Sequence, residues 1–421
     1  MANHFPSVSW SRGASMYEIN IRQYSVEGTF KAFQQHLPRL KNMGIDILWF
    51  MPITPISLDV RQGTLGSYYA CSSYVEINPE FGTLNDFKAL VAEAHSLGMK
   101  VIIDWVANHT GWDHEWTKTN KDYYLLDEQG NFTERNGWHD VIDLNYQNQH
   151  MRTAMIAAMQ YWVNTCNIDG FRCDMAHLVP LDFWQEARTQ CDALKPLFWL
   201  AECEDVQYHN VFDVTYAWEW MHVTEKFFQG NASLHHVFDV LHKYTQYPKD
   251  SRKLFFTTNH DENSWNGTEY EKFGGAAKVM AVFAATWSGM PLVYSGQENP
   301  NLKRLKFFDK DVIEWNQPLQ LFDFYKTILQ LSKSKVISLA ETFILPTQHE
   351  GVMGYLRKHE NEVVLVLLNF TGASKLQISV EHNWLNNKFV NAFSKLDYNF
   401  KQKEVFELQA YEYLVYATNN G

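Results

Sequence analysis

Two charged residues stand inside an apolar segment, IDGFRCD, at positions 168–174. Arg172 and Asp174 are two positions apart, and in a β-strand that spacing puts both side chains on the same face of the sheet. Burying charged groups is costly unless they are paired. The segment therefore holds either a structural ion pair or an ionised carboxylate that is kept within reach of a substrate.

More polar residues follow the apolar runs that we interpret as the third, fifth and seventh strands, which end in DWVANH, WLAE and TTNHD. With the GFRCD segment they supply Asp104, Asn108, His109, Arg172, Asp174, Glu202, Asn259, His260 and Asp261. Each of these residues alone has a structural explanation. Together they gather three carboxyl groups (Asp174, Glu202 and Asp261) at one rim, which a structure that minimised electrostatic cost would avoid. The pattern therefore predicts a functional site.

Two carboxyl groups in unequal surroundings are what cleavage of a glycosidic bond requires. Arg172 is suited to keep Asp174 ionised, as the group that attacks or stabilises the anomeric carbon. Glu202 ends the apolar run LFWLAE, which should raise its pKa and suit it to donate a proton. Glu204 and Asp205 are weaker candidates for the acid, because of strand alternation and because they lie in a loop.

The surrounding elements follow from eight short apolar runs between Met16 and about residue 334. The runs are SMYEINI, IDILWFM, KVIIDWV, IDGFRCD, LFWLAE, NVFDVTY, KLFFTTN and MPLVYSG. Segments with helical periodicity separate most of them. Because parallel strands need a crossover to return, this alternation predicts an α/β fold, a (β/α)8 or TIM barrel. Such barrels carry their sites at the C-terminal ends of the strands, where the polar residues fall.

Two segments depart from the alternation. Residues 105–145 are rich in Gly, Asp, Asn and aromatic residues, which predicts a short loop subdomain inserted after the third strand. After about residue 335, polar and apolar residues alternate, which predicts a C-terminal antiparallel β-sandwich. We therefore expect a barrel from residues 1–104 and 146–334, an inserted subdomain at 105–145 and a sandwich at 335–421.

The composition limits the class of partner. The 421 residues carry a formal net charge of −12, which argues against nucleic acid and anionic membranes. No apolar run reaches the roughly 18 residues of a membrane span, and the first residues do not resemble a secretory signal. Five cysteines at no metal-ligand spacing fit a reducing compartment. We expect a cytoplasmic protein, or a secreted or periplasmic one if a signal peptide has been removed; the oligomeric state is not predicted.

Four segments in order, DWVANH, GFRCDMAH, LAEC and FTTNHDEN, resemble the alpha-amylase family, glycoside hydrolase family 13. The similarity extends over the whole chain. It implies a retaining enzyme that hydrolyses α-1,4-glucosidic bonds of starch-type glucans or maltooligosaccharides through a covalent glycosyl-enzyme. The resemblance makes Asp174 the nucleophile and Glu202 the general acid/base, and Asp261 would hold substrate hydroxyls.

The resemblance also implies residues that bind the substrate or position the nucleophile. Tyr69 would stack on the sugar, and His109 and His260 would form hydrogen bonds to it. Arg172 would orient Asp174, with Asp104 as its buried partner.

One position departs from the family pattern. Typical members have a Lys-His pair at the third and fourth positions after the nucleophile, where this chain has His177 and Leu178. His177, Trp218 and Trp220 are then either walls of the substrate site or packing residues. Cys173 and Cys203 adjoin the two carboxylates but should point into the barrel wall.

Asn108 matches the calcium-binding asparagine of the family, which makes calcium a candidate cofactor. No full ligand set is visible, although the segments DHEW and NKDYY offer oxygen ligands. No other cofactor is expected.

Three other functions stay open. A 4-alpha-glucanotransferase or a neopullulanase would use the same three carboxylates. An inactive glucan-binding protein is disfavoured because all three carboxylates are present. A metal-dependent barrel hydrolase would recruit His109, His139 and His260, but no HxH or HExxH spacing supports it.

Overall fold

The computed structural model describes residues 5–248 and 250–418. Within them the strands are β1 Met16–Ile19, β2 Ile47–Phe50, β3 Lys100–Trp105, β4 His109–Gly111, β5 Val141–Asp143, β6 Gly170–Cys173, β7 Phe198–Ala201, β8 Val214–Tyr216, β9 Lys253–Phe255, β10 Met290–Tyr294, β11 Glu341–Leu345, β12 Val352–His359, β13 Glu362–Asn369, β14 Leu376–Glu381, β15 Lys388–Asn391, β16 Asp397–Asn399, β17 Lys403–Leu408 and β18 Tyr413–Thr418.

The α-helices of the same residues lie mostly between the first ten strands. They are α1 Ile21–Tyr24, α2 Phe30–Gln34, α3 Leu37–Met43, α4 Leu84–Ser96, α5 Glu115–Thr119, α6 Gln149–Cys166, α7 Leu181–Asp192, α8 Trp218–Phe228, α9 Leu234–Thr245, α10 Glu269–Phe273, α11 Ala277–Thr286, α12 Phe322–Ser332 and α13 Lys335–Ser338.

Eight parallel strands close into a barrel in the order β1-β2-β3-β6-β7-β8-β9-β10, with β10 pairing back to β1. The predicted (β/α)8 barrel is confirmed, and each of the eight apolar runs contains one of its strands. One crossover differs from the expected alternation. Only residues 202–213 join β7 to β8, and they form a 3-10 turn, Val206–Asn210, in place of an α-helix.

The barrel helices begin and end where local side chains satisfy the backbone. Thr83 and Asp86 form a capping box at the start of α4, which satisfies two of the free amide groups there. The helix α6 begins after Asn148, whose side chain accepts from the amides of His150 and Met151. Its inner face buries a stripe of side chains spaced by three and four residues, as its sequence predicts: Met151, Met155, Met159, Trp162 and Cys166.

Gly170 lets two strands that carry the site approach closely. A Cβ atom at this position would overlap the carbonyl oxygen of Phe198 on β7, so only glycine fits between the strands. The register then pairs Arg172 with Leu200 and Cys173 with Ala201. Asp174 and Glu202 are the next residue of each strand.

The segment between β3 and β6 holds a small antiparallel pair, β4 with β5, and the short helix α5. His109, the first residue of β4, pairs with Asp143 of β5. Tyr124 forms an isolated bridge to Leu144. The backbone pairing fixes His109 beside the end of β3.

The C-terminal region has two antiparallel sheets, of strand order β11-β12-β13-β18-β15-β16 and β14-β17. One face of β13, with Leu365 and Leu367, packs with Ile378 and Phe406 of the smaller sheet. The other face, with Val364, Val366 and Leu368, belongs to the same core as the barrel helices. Because both faces of β13 are covered, its sequence is a continuous apolar run.

No helix in the described ranges is long and apolar enough to cross a membrane. All five cysteines are buried and unpaired. Cys173 and Cys203 lie in the apolar core, as predicted, and burial raises the pKa of both thiols.

Candidate active site

A cavity of about 450 Å³ opens at the C-terminal end of the barrel. Three strands deliver its carboxyl groups, because Asp174 follows β6, Glu202 follows β7 and Asp261 follows β9 at a short interval. The cavity is lined by Gln62, Ser67, Tyr69, His109, Gly137, Trp138, His139, Asp140, Val141, Asp174, Met175, Glu202, His260, Asp261, Trp265, Phe307 and Phe308. The structure thus brings together the three carboxylates that the sequence singled out.

The Arg172 guanidinium lies directly beneath these carboxylates and has no exposed surface. Its Nη1 lies 2.8 Å from Asp104 Oδ1 and 2.9 Å from Asp174 Oδ1. Its Nη2 lies 2.8 Å from Glu202 Oε2, and its Nε donates to the hydroxyl of Tyr216 at 3.1 Å. One cation therefore compensates the charges of three buried carboxyl groups. The segment at 168–174 contains a structural ion pair and also holds a carboxylate, Asp174, at the cavity.

Burial raises the pKa of both Asp174 and Glu202, and Arg172 opposes the rise. Each is raised further by a neighbouring carboxylate, Asp261 for the first and Asp174 for the second. Carboxyl groups arranged in this way resist simultaneous ionisation, so one tends to keep a proton.

The contacts distinguish the two carboxyl groups. Asp174 accepts an aligned hydrogen bond from Arg172 Nη1, whereas Nη2 has no hydrogen bond of good geometry among the described residues despite its closeness to Glu202. Glu202 accepts instead from the amide of Met175 at 2.9 Å. The arrangement favours the charge on Asp174 and the proton on Glu202.

Tyr69 and His260 form one wall of the cavity. Their rings stack with centroids 5.3 Å apart and an angle of 15°, and His260 Nε2 lies 2.6 Å from the Tyr69 hydroxyl. That hydroxyl also donates to Asp104 Oδ2 at 3.1 Å. Asp261 Oδ2 lies 3.3 Å from His260 Nε2, and 37% of the Asp261 side chain is exposed. It is therefore the most open of the three carboxylates.

His109 lines the cavity as a neutral donor. Asn108 Nδ2 donates to His109 Nδ1 at 3.1 Å, so Nδ1 is an acceptor and the proton of the ring is on Nε2. Burial lowers the pKa of His109 to about 4. The Trp138 ring lies 5.4 Å from the imidazole and lines the same cavity.

The sequence of the chain matches two known family models. The family model of the alpha-amylase catalytic domain matches residues 9–335, and that of the maltogenic amylase C-terminal domain matches residues 342–415. This chain belongs to the alpha-amylase family. The chain is accordingly a glycoside hydrolase of that family.

Two solved structures of this family are similar over nearly the whole chain. The noncanonic maltogenic alpha-amylase AmyB from Thermotoga neapolitana is 32% identical with a TM-score of 0.88, covering 97% of this chain and 99% of that one. An alpha-amylase from Lactobacillus plantarum is 28% identical with a TM-score of 0.88 and the same coverages.

A curated relative, Alpha-amylase MalA from Haloarcula japonica, is 24% identical over 392 residues. The match covers 87% of this chain but only 56% of the relative. This amylase-family chain therefore spans little more than half the length of that relative.

Several residues predicted to bind substrate do not line the cavity. Asp104 and Arg172 are fully buried below its floor, so any contribution they make is through the residues above them. His177 is exposed on the 3-10 turn Ala176–Leu178 and is absent from the lining. Asn108 lies behind His109.

Packing decides whether the two tryptophans of α8 are walls of the site or core residues. Trp220 has no exposed surface and packs against Phe255 and Phe283, so it is a core residue and not a wall of the site. Trp218 is half-buried and stacks on His222, also outside the lining.

Neither rival acid reaches the cavity. Glu204 forms an ion pair with the buried Lys253 at 2.9 Å and accepts from the amide of Glu219. Asp205 caps the 3-10 turn that follows it. Both carboxylates stabilise the connection between β7 and β8.

Sequence reasoning missed four aromatic residues of the cavity and one buried acid. Trp138, Trp265, Phe307 and Phe308 line the cavity, and Glu18 contacts His260 from β1. Trp265 lies four residues after Asp261, in the π-helical turn Glu262–Asn266, so the segment DENSWNG held a signal. The phenylalanines come from the long segment after β10, where no periodicity marks a functional residue. Glu18 is the one charged residue in the run SMYEINI, which was a usable signal.

Calcium at Asn108 stays a prediction. The described residues contain no cluster of three or more His, Cys, Asp or Glu side chains placed to hold a metal ion, and the amide nitrogen of Asn108 donates to His109.

Proposed function

We propose that the protein is a retaining glycosidase that hydrolyses α-1,4-glucosidic bonds of maltooligosaccharides or starch-type glucans. Asp174 is the nucleophile, Glu202 the general acid/base and Asp261 the carboxylate that holds sugar hydroxyls.

The observation that carries this proposal is the shared guanidinium of Arg172. It contacts Asp174 and Glu202 at 2.9 and 2.8 Å through its two terminal nitrogens. The two residues also follow the register pair Cys173 and Ala201, and neighbouring strands lie about 4.8 Å apart. Such closeness favours the retaining spacing of roughly 5–5.5 Å over the wider inverting one, which leaves room for a water.

The reaction then proceeds in two displacements. Asp174 attacks the anomeric carbon while Glu202 gives its proton to the departing glycosidic oxygen, which leaves as an alcohol. A covalent ester between Asp174 and the sugar results. Glu202, now a carboxylate, takes a proton from water, and the water oxygen attacks the same carbon and releases Asp174. Each step inverts the anomeric carbon, so the product keeps the α configuration.

The rest of the cavity suits a neutral sugar. Tyr69, Trp138, Trp265 and Phe307 present rings, which stack on the apolar faces of pyranoses. His109 and Asp261 offer a donor and an acceptor for hydroxyl groups. The similarity of the C-terminal residues to maltogenic amylases supports short maltooligosaccharides among the substrates.

The test is product analysis on maltoheptaose with the wild type and Glu202→Gln. We expect glucose and short maltooligosaccharides of initially α configuration, observed by proton NMR, from the wild type alone. Glu204→Gln is the matched control, because it removes a nearby carboxylate that does not reach the cavity, and it should stay active. An initially β product would overturn the retaining mechanism, and equal activity of Glu202→Gln would overturn the assignment of the acid.

The glucanotransferase and neopullulanase alternatives give other products from the same residues. Products longer than maltoheptaose would identify transfer to a sugar in place of water, and cleavage of pullulan in preference to maltoheptaose would identify the neopullulanase. Binding of maltoheptaose without any turnover would indicate the glucan-binding protein.

A further inference from the structure

Glu18 is a buried acid that the mechanism above does not use. It lies on β1, in register with Trp49 of β2 and Tyr294 of β10, and has no exposed surface. It does not line the cavity. A carboxylate so deep in the barrel needs a partner, because an uncompensated buried charge is strongly destabilising.

The partner is His260. Glu18 Oε1 lies 2.5 Å from His260 Nδ1, and the second oxygen, Oε2, is buried with no hydrogen-bond partner among the described residues. The carboxyl group is thus committed to the imidazole. Burial raises the pKa of Glu18, while His260 and Arg172 oppose the rise. With Glu18 ionised, Nδ1–H donates to it, since a carboxylate can only accept.

A count of hydrogens fixes the other ring nitrogen. Tyr69 has one hydroxyl hydrogen, and it is directed to Asp104 Oδ2. The contact of 2.6 Å between Tyr69 and His260 Nε2 therefore needs a hydrogen from Nε2. Both ring nitrogens are donors, which is the imidazolium cation.

For Tyr69 to donate its hydrogen to Asp104, Asp104 must act as a hydrogen-bond acceptor. Its Oδ1 accepts from Arg172, and its Oδ2 accepts from the indole of Trp49 at 3.1 Å as well as from Tyr69. Three donors on one carboxyl group favour its ionised, acceptor-only form; burial raises the pKa of Asp104 to about 7, and Arg172 opposes the rise.

We propose that Glu18 is a positioning residue that keeps His260 doubly protonated, so that the cavity wall carries a fixed cation beside the Asp261 carboxylate. The inference rests on the proposed function for its effect on catalysis, while the protonation state of His260 is independent of it. The cation donates to Tyr69 and lies beside Asp261, so it fixes the wall on which the sugar would lie.

The charged and titratable groups that face His260 come from its own segment and from five other elements. They are Glu18 of β1, Tyr69 after β2, Asp104 of β3, Arg172 and Asp174 at β6, Glu202 after β7 and the adjacent Asp261. Burial alone would lower the pKa of His260, but Asp261 and Glu18 raise it to about 9. Of these groups, Glu18 alone combines contact with Nδ1 and absence from the cavity.

The first test observes His260 directly. In protein labelled with nitrogen-15 histidine, the His260 signals are assigned by their loss in His260→Asn and followed by NMR from pH 5 to 10. We expect the wild-type ring to stay doubly protonated through pH 8 and the Glu18→Gln ring to lose its proton below pH 7. Titration of His260 at the same pH in both proteins would overturn the proposal. This measurement needs no activity, so it stands even if the proposed function fails.

The second test is kinetic. The ratio of kcat/KM for Glu18→Gln to that for the wild type should fall at least about tenfold between pH 6 and pH 8, because an unperturbed histidine loses its charge near pH 6.5. Glu18→Asp, which keeps the charge, should recover part of the loss at pH 8.

A matched control separates this role from simple destabilisation. Glu269 is equally buried and bonds Thr257 and Gln297, away from His260. Glu269→Gln should leave both the titration of His260 and the pH dependence of kcat/KM as in the wild type. A ratio for Glu18→Gln that does not change with pH, or a Glu269→Gln protein with the same pH dependence as Glu18→Gln, would overturn the positioning role.

Discussion

Asp104 and Arg172 are register partners on the neighbouring strands β3 and β6, and their side chains meet at 2.8 Å with no exposed surface on either. Asp104 lies farther from the cavity than the carboxylates that Arg172 also contacts. The pair is the lowest layer of the site, so a change there reaches the residues above it without touching a substrate.

Asp104→Asn should lower the free energy of unfolding by about 3 kcal/mol, because removing one partner of a buried ion pair leaves the other charge less compensated. It should also reduce kcat, since Arg172 loses the contact that opposes its pull on Asp174. Urea unfolding followed by tryptophan fluorescence measures the first effect. Arg304→Gln is the control, because its ion pair with Glu271 is exposed and should contribute less than about 1 kcal/mol. Equal losses in the two variants would contradict the structural role of the buried pair.

Tyr69→Phe should reduce kcat/KM about tenfold, the effect of losing roughly 1.4 kcal/mol of transition-state stabilisation. The ring can still stack on His260, but the hydrogen bonds to Asp104 and His260 are lost. Initial rates on maltoheptaose measure the change. Tyr208→Phe also removes a buried hydroxyl, bonded to the carbonyl of Val179, and should leave kcat/KM unchanged.

Trp265→Ala should raise KM for maltooligosaccharides severalfold with little change in kcat. Its indole lines the cavity and is 53% exposed, so it offers a stacking surface without supporting the core. The free energy of unfolding should change by no more than about 0.5 kcal/mol. Trp220→Ala should behave in the opposite way, losing about 3–5 kcal/mol of stability because it empties a core position. A Trp265→Ala protein with wild-type KM for every chain length would exclude the stacking role.

His114→Asn should make the protein less sensitive to mild acid. His114 Nδ1 accepts from the amide of Trp116 at 3.1 Å, so the native ring is neutral, and burial lowers its pKa to about 3. In the unfolded chain His114 binds a proton near pH 6.5, whereas the native ring stays neutral until about pH 3. The contribution of His114 to the free energy of unfolding is therefore fully present above pH 6.5 and is lost as the pH falls toward 3. Between pH 7 and pH 5 this contributes a loss of about 2 kcal/mol.

Asparagine can keep the amide contact of His114, because it is a good helix N-cap, yet it does not titrate. Urea unfolding at the two pH values should therefore show about 2 kcal/mol less acid loss in His114→Asn than in the wild type. The same substitution at His235, an exposed residue of α9, is the control. If both variants lose as much stability at pH 5 as the wild type, the neutral buried His114 is not a source of acid sensitivity.

The barrel and its carboxylates could be predicted because their signals are local. Each strand is a short apolar run. Asp174 and Glu202 are the last residues of two of those runs, and Asp261 comes two residues after the end of a third. Parallel strands bring their ends to one rim whatever the details of packing. The two-residue spacing of Arg172 and Asp174 likewise fixes a shared face without any knowledge of the fold.

The walls of the cavity could not be predicted in the same way. Trp138, Trp265 and Phe307 come from three separate loops, and loops have no periodicity that assigns a direction to a side chain. Trp220 is a related case, since the sequence left open whether it was a wall of the site or a packing residue, and helix packing buries it.

The sequence by itself determined the strands, the rim and the three acids. The reason is that an apolar run and the polar residue at its end are neighbours along the chain, and parallel strands place those ends on one rim. Only the tertiary structure decided which charges meet. Glu18 and His260 are 242 positions apart, and they touch because the closing of the barrel places β1 beside β10 and near the end of β9. A proton on His260 depends on that closure, which no local pattern encodes.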